Sequence, residues 1–400
     1  MKANRRTLCR ADDSATASPP PRVSRPPVIF VVVQAGVSAD GGVSSISQII
    51  AELRDHRPII VTDRETGRTE QWRRAGIETH VVPQTASRGL AREPLKVLGS
   101  YARYTAVLRK LIRQSGAKVV HANDPAAFQL SLPAVKLSRR ATIALNIRDT
   151  LDPERRPPRS RYRFLFGAAD HVFFLSQDMA DRWAEVAPNA KRAFSVTYSI
   201  VDPEAFAPAP AYSGDGPPVV LLSGLIWAKK GQLDFIRHVS PGLAAEGIAT
   251  WLSGDFDPKR SSYMAACAKA AAPLGPMVEF LGYRTDVPQL MARASVVAVA
   301  SRHEGLVRAM IEAMSCARPV VSFDISSARE ILEQQSGGAG VVVGVGDFGA
   351  MANAIVRYCR EPALAAAAGA KGEATASRLF ARKEVVSRYE RVYDMLESRL

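Results

Sequence analysis

Apolar residues along this chain come in short unbroken runs, and each run is followed by a stretch with helical spacing. In the first half the runs are Val28–Val33, Pro58–Thr62, Thr79–Val82, Lys118–His121, Thr142–Asn146, Val172–Ser176 and Ser195–Tyr198. In the second half they are Val219–Ser223, Ala249–Ser253, Val278–Leu281, Val296–Ala300, Val320–Phe323 and Gly340–Val343. Helices are predicted at Val43–Arg54, Leu95–Gln114, Gly231–His238, Tyr263–Ala271, Val287–Ala292, Leu306–Ala317 and Phe348–Cys359. A strand that is apolar on both faces must be covered on both faces, so the alternation predicts parallel sheets wrapped by helices. The segment 207–218 (APAPAYSGDGPP) is rich in Pro, Gly and Ala and reads as a linker. The fold class is therefore α/β: two Rossmann-like domains, 28–206 and 219–375, whose sheets face a central cleft. Residues 376–400 are expected to form a C-terminal helix that packs back on the first domain.

Composition narrows this without redirecting it. The 400 residues exceed what one core holds, which agrees with two domains. No window has the ~20 apolar residues that a membrane-spanning helix requires. Residues 1–27 carry Arg5, Arg6, Arg10 and a Ser/Pro stretch without a secretory apolar run; they read as a disordered tail, with a transit peptide as the alternative. Cys9, Cys267, Cys316 and Cys359 are far apart, with no metal-ligand spacing, which suits a reducing cytoplasm.

Charge adds a division of labour. The net charge is +14, and residues 1–200 hold 32 Lys/Arg against 18 Asp/Glu, whereas residues 201–400 hold 21 of each. Residues 86–165 alone carry 17 basic and 5 acidic side chains. Such a field suggests an anionic partner. Two segments concentrate it. Residues 87–113 mix Leu95, Leu98, Tyr101, Leu108 and Leu111 with seven cations, as a helix lying on an anionic membrane would, or as a core-packed helix with a solvated basic face. Residues 154–163 (ERRPPRSRYR) hold five arginines in a Pro-broken loop on the acceptor side. Neither segment interleaves aromatics as a base-stacking platform does, so nucleic acid is not expected.

Candidate chemistry centres on Glu304 and Glu312. A buried strand ends at Ala300, and a helix is predicted to open near Gly305. Free N–H groups at a helix start, with the helix dipole, favour a phosphate. Eight residues at about 100° each bring the two carboxylates within about 80° of one face. A phosphate there would have one carboxylate on either side. Taken alone, the pair also reads as an ordinary acidic helix start beside a solvated glutamate. Asp255-Phe256-Asp257 has the form of a metal-binding Asp-x-Asp, but Asp255 closes a strand and Asp257-Pro258 starts a turn; no metal or other cofactor is expected. His303 reads as a loop hydrogen-bonder or as a sugar contact.

At these residues the sequence resembles the retaining group 1 (family 4) glycosyltransferases of the GT-B fold. The signature stands as Glu304-Gly305-Leu306, Glu312-Ala313-Met314 and Pro319-Val320, with Ala317 where the family has Gly. Six further pieces agree in order: the loop Ser223-Gly224-Leu225 through Lys229-Lys230-Gly231, Gly254-Asp255, Val278 through Gly282, Asp202 through Phe206, and, in the first domain, Asp40-Gly41-Gly42-Val43 and Val120-His121 through Pro125. The resemblance implies a nucleotide-sugar-dependent transferase in cell-envelope or exopolysaccharide synthesis, working in the cytoplasm or peripherally on the membrane's inner face. Its partners would be a nucleoside-diphosphate sugar and a glycan or lipid-linked acceptor. It implies that Gly224, Lys230, Gly282, Tyr283, Gly305, Leu306, Val307 and Glu312 bind the donor, with Lys230 offsetting the diphosphate, backbone N–H groups of 305–307 on the phosphate, and Glu312 on the ribose. Glu304 and His121 would be catalytic, and Gly41 and Gly42 would form the loop that approaches donor and acceptor. One departure stands out: the family's loop Arg is Leu225 here, with Lys229 or Arg302 as candidate substitutes. That leaves a non-catalytic binding subunit, or an epimerase or phosphorylase on the same fold, as rival readings.

Overall fold

The computed structural model describes residues 25–34, 41–84, 94–148, 159–210, 217–256 and 261–400. Residues 1–24 of the tail, Asp40, half of the linker (211–216), Asp257 and part of both basic segments lie outside the described residues.

Each apolar run forms a strand. The first sheet holds β1 (Pro27–Val32), β2 (Arg57–Thr62), β3 (Glu78–Val81), β4 (Val119–Ala122), β5 (Thr142–Ile147), β6 (His171–Phe174) and β7 (Phe194–Val196), all parallel, in the order β3-β2-β1-β4-β5-β6-β7. The second holds β8 (Val219–Ser223), β9 (Ala249–Ser253), β10 (Val278–Gly282), β11 (Val296–Val299), β12 (Val320–Phe323) and β13 (Gly340–Val343), all parallel, in the order β10-β9-β8-β11-β12-β13. Chain direction through the sheet reverses between β1 and β4 and again between β8 and β11. Loops leave such a point to opposite faces and open a crevice there.

The first sheet is covered by α1 (Gly41–Glu52), α2 (Gly67–Arg74), α3 (Pro94–Ser115), α4 (Pro125–Ser138), α5 (Arg159–Ala168) and α6 (Gln177–Val186). The second is covered by α7 (Gln232–His238), α8 (Ser240–Ala245), α9 (Ser261–Ala271), α10 (Val287–Arg293), α11 (Arg308–Ser315), α12 (Phe348–Arg360) and α13 (Pro362–Leu379), and α14 (Arg382–Glu397) closes the chain. In α3, Val97, Tyr104, Leu108, Leu111 and Ile112 are buried, and only Leu95 and Leu98 leave large apolar surface in water. Two of the residues assigned to a membrane-facing stripe, Leu108 and Leu111, are thus core residues. Among the described residues no helix is long and apolar enough to cross a membrane. Cys267, Cys316 and Cys359 are buried free thiols.

The chain returns to the first domain through α14. Its Val385, Val386, Tyr389, Val392, Tyr393 and Leu396 join Val28, Phe30, Val32, Ile46 and Ile49 in one core. Glu390 accepts hydrogen bonds from the N–H groups of Arg54 and Asp55, both at 2.7 Å, which ties off the end of α1. A second tie joins the domains directly. The buried Glu330 carboxylate accepts from Tyr198 Oη at 2.8 Å and from the Asp178 N–H at the start of α6 at 2.9 Å. A carboxylate at a helix N-terminus is favoured by the dipole. Where the chain crosses over, Phe206 O accepts from Ser315 Oγ at 2.7 Å and the buried Arg318 guanidinium donates to Pro210 O.

Candidate active site

A cavity of about 660 Å³ lies between the domains at the two reversal points. It is built first from the loop after β8. Gly224 takes a φ of +144° and Gly231 a φ of +74°. A Cβ on Gly231 would stand 2.1 Å from Ala300 O, so only glycine allows the turn to close against β11. That turn sends Lys230 back over Gly224 into the cavity. Lys230 Nζ meets Glu304 Oε1 at 2.9 Å, and Lys229 Nζ lies 4.0 Å from Glu304 Oε2. Two cations therefore face one carboxylate.

Glu304 does not stand on a helix. The helix opens at Arg308, with Val307 as its N-cap residue. Residues 304–307 first cross to the other domain, and this delays the helix. A Cβ on Gly305 would come within 2.3 Å of Arg148 O and 2.8 Å of Met179 Cε, and Leu306 and Val307 are buried. The N–H groups of the open helix end are those of Arg308 and Ala309, both on the cavity wall, and Gly305 and Leu306 line the same wall just before them. Val307 itself does not line the cavity. The expectation of two glutamates on one helical face gives way to a loop carboxylate and a helix carboxylate that meet across the same space.

Glu312, inside α11, is 9% exposed. Arg308 Nη2, one turn earlier, reaches Glu312 Oε1 at 3.1 Å. Burial pushes the Glu312 acid above the usual carboxylate range, while the charges of Arg308 and Lys230 pull the other way.

The first domain supplies the opposite wall. Gly42 in the first turn of α1, Asn123 and Asp124 after β4, and Arg148 after β5 all line it. Asp124 caps α4 by accepting from the Ala126 and Ala127 N–H groups at 2.7 and 2.8 Å, which fixes that corner. Arg148 was not singled out from the sequence. Its position immediately after a strand was the available signal, because ligands in open parallel sheets sit beyond the carboxyl ends of strands.

His121 is a correction. It lies inside β4, fully buried, and does not line the cavity. Its Nδ1 shares a hydrogen bond with Tyr393 Oη at 3.1 Å, and its ring packs among Phe30, Phe173, Tyr389 and Tyr393. Burial, helped by the charge of Arg148, pushes its pKa down to about 3, so the ring is neutral. Strand alternation turns this side chain to the face that α14 covers, and the residues that reach the cleft from β4 are Asn123 and Asp124.

Gly282 (φ +65°) and the 72% exposed Tyr283 stand at the end of β10, two strands from β8, outside the cavity lining. Of the two substitutes for an arginine at 225, Lys229 faces Glu304, whereas Arg302 pairs with Asp234 at 2.8 Å beside a separate concavity that also holds His303. Leu225 lines the cleft. Asp255 Oδ1 accepts from the Phe256 N–H, and among the described residues no cluster of three His, Cys, Asp or Glu side chains could hold a metal ion.

Two facing Rossmann-like domains, with a lysine and paired glutamates at the reversal point, define a GT-B protein. Residues 217–361 match the family model "Glycosyl transferases group 1" and residues 40–196 match "Glycosyl transferase 4-like domain". The chain belongs to the group 1 glycosyltransferases. It is 26% identical over 174 residues to the lipopolysaccharide core biosynthesis glycosyltransferase LpsE of Rhizobium meliloti (strain 1021), covering 43% of this chain and 48% of that protein. The chain thus spans about half the length of that relative, and about a third of the next ones it matches. The same architecture occurs in Anabaena Alr3699/HepE in complex with UDP (TM-score 0.76, 21% identity, 92% of this chain and 99% of that one). It occurs also in a glycosyltransferase from Rickettsia africae (TM-score 0.77, 17% identity, 93% and 98%).

Proposed function

We propose that this protein transfers a sugar, with retention at the anomeric carbon, from a nucleoside-diphosphate sugar to a glycan or lipid-linked acceptor in surface-polysaccharide synthesis. The observation that carries this reading is the contact of Lys230 with Glu304 at 2.9 Å, in the cavity that also holds Glu312 and the open end of α11. A diphosphate entering the cavity competes with Glu304 for Lys230. As Lys230 turns to the phosphates, Glu304 is released to bind sugar hydroxyls near the reacting carbon. The glycosidic bond breaks as negative charge grows on the leaving diphosphate. Lys230, Lys229 and the Arg308 and Ala309 N–H groups surround the place where that charge develops. Glu312 holds the ribose and Tyr283 borders the base. Arg148 brings a further cation from the first domain. No metal enters this scheme. HepE has been solved with UDP-glucose, which makes UDP-hexoses the first donors to test. Lipid-linked acceptors would approach a membrane through Leu95, Leu98 and the 60% exposed Phe164.

A thermal-shift screen of nucleoside diphosphates and their sugars identifies the donor, because binding stabilises the folded state by mass action. With that donor, Glu304→Ala should lower transfer at least 100-fold, about 2.7 kcal/mol of barrier; near-normal turnover would overturn the assignment. The rival reading of a non-catalytic binding subunit rests on Leu225. Donor binding without turnover across an acceptor panel, with activity gained on Leu225→Arg, would establish it.

A further inference from the structure

The cleft uses only one part of the first domain's positive charge. Five other cations, Arg109, Lys110 and Arg113 near the end of α3 and Arg139 and Arg140 just past α4, line two adjoining concavities of about 400 and 330 Å³. Among the described residues no Asp or Glu side chain lines either one; Leu400, which carries the terminal carboxylate of this chain, borders the second. Among the described residues none of the five makes an ion pair. Lys118, beside them, feels the field of Glu397. Two helix C-termini meet here, and each carries roughly half a negative charge, so with the Leu400 carboxylate counted about three positive charges remain uncompensated. Collecting them costs self-repulsion unless an anion answers it.

The backbone adds a second sign. Arg139 sits in the left-handed region (φ +53°), where glycine is the favoured residue. A side chain is kept at a position where glycine would be more stable, and that side chain faces the concavity.

The site is separate from the cleft. Lys118 and Arg140 lie before β4 and β5, whereas Asn123 and Arg148 lie after them. The length of those strands, roughly 13–20 Å, stands between the two places.

We propose that these concavities form a second anion site, for a ligand bearing two or more phosphoryl groups. Exposed cations at this density bind multiple phosphate oxygens better than one, since each guanidinium offers a two-pronged donor. The phosphoryl groups come either from a soluble polyphosphorylated compound or from lipid headgroups, and the chemistry at the protein is the same.

The test uses the full chain with two probes: inorganic tripolyphosphate by calorimetry, and phosphatidylglycerol vesicles by co-sedimentation. Arg113→Glu combined with Arg140→Glu should weaken binding of whichever probe the site takes at least tenfold. Lys230→Ala, which alters only the cleft, should leave that binding in place. Arg139→Gly should weaken binding several-fold while holding or raising the melting temperature, an outcome that a merely structural arginine would not give. Loss confined to tripolyphosphate identifies a soluble source, and loss confined to vesicles identifies a lipid source. If the double charge reversal leaves both probes within twofold of the native chain, or neither probe binds the native chain, the proposal fails. Sugar transfer by the charge-reversed protein should stay unchanged, so this result is independent of the function proposed for the cleft.

Discussion

Glu304 and Glu312 look alike in sequence and are held in different ways. Glu304 sits in a loop with a lysine against each oxygen, whereas Glu312 is sealed inside α11 with one arginine. Burial outweighs the Glu312 ion pair, so its acid form persists above the usual carboxylate range. The folded state then holds a proton that the unfolded state has released. Stability therefore falls as pH rises through that window and stays low above it. Glu312→Gln should melt higher than the native protein at pH 7, with the gap shrinking as pH is lowered below the carboxylate range. The same variant should bind donor more weakly, by calorimetry. His121 has the opposite sign. Its pKa is depressed to about 3, so it withholds a proton that the unfolded chain binds, and stability is lost as pH falls from about 6.5 towards 3. His121→Phe should flatten that part of the melting-temperature profile and leave turnover near normal at pH 7. A collapse of turnover in a folded His121→Phe protein would return His121 to the catalytic group.

Among the elements, α11 shows how two ends of one helix serve different purposes. Its start is left without a side-chain cap and faces the cleft. Its end is closed fully: Arg318 N–H reaches Ala313 O at 2.9 Å and Ala317 N–H reaches Met314 O at 3.0 Å, the Schellman pattern. The residue that makes this turn is Ala317, at φ +55°. A Cβ is disfavoured there, which gives a physical reason for the glycine that the family carries at this position. Ala317→Gly should stabilise the protein by about 0.5–1 kcal/mol in denaturant titration, the left-handed penalty less the added chain entropy of glycine. Open start and sealed end together leave the N-terminal amides as the backbone groups of α11 able to meet a ligand.

At the level of the whole molecule, the cleft depends on contacts that cross between domains. Gly305 is the tightest: its backbone lies against Arg148 O, with no room for a methyl group. Gly305→Ala should push the domains apart, raise the radius of gyration in solution scattering, and cut transfer tenfold or more, about 1.4 kcal/mol. Unchanged scattering together with unchanged transfer would mean that this contact does not hold the working cleft. Glu330 and α14 oppose such opening from the other side. Glu330 grips Tyr198 and the start of α6, and α14 runs from the second domain into the core of the first.

What could be read from residues in order was what local physics decides. All thirteen strands among the described residues were legible, because a short apolar run flanked by helical spacing has few other outcomes in an α/β chain. That Lys230, Glu304 and Glu312 share one cavity was legible because glycines and strand ends bring the loops of Lys230 and Glu304 together and α11, which carries Glu312, follows the second of them. Relations between distant segments were not. The sequence predicts a helix from Leu306, two residues before the observed start at Arg308, because nothing local says that Gly305 must first reach Arg148. The family resemblance puts His121 in the cleft, yet the face it takes packs against α14, some 270 residues away (Tyr393 follows it by 272). Arg148 stood unnoticed among seventeen basic residues of one segment, and only the folding of β5 beside β4 separates it from the cations gathered at the far end of the same sheet. Period and turn chemistry act over a few residues and are written in the chain; which faces meet depends on packing free energy summed over the whole core, and that exists only in three dimensions.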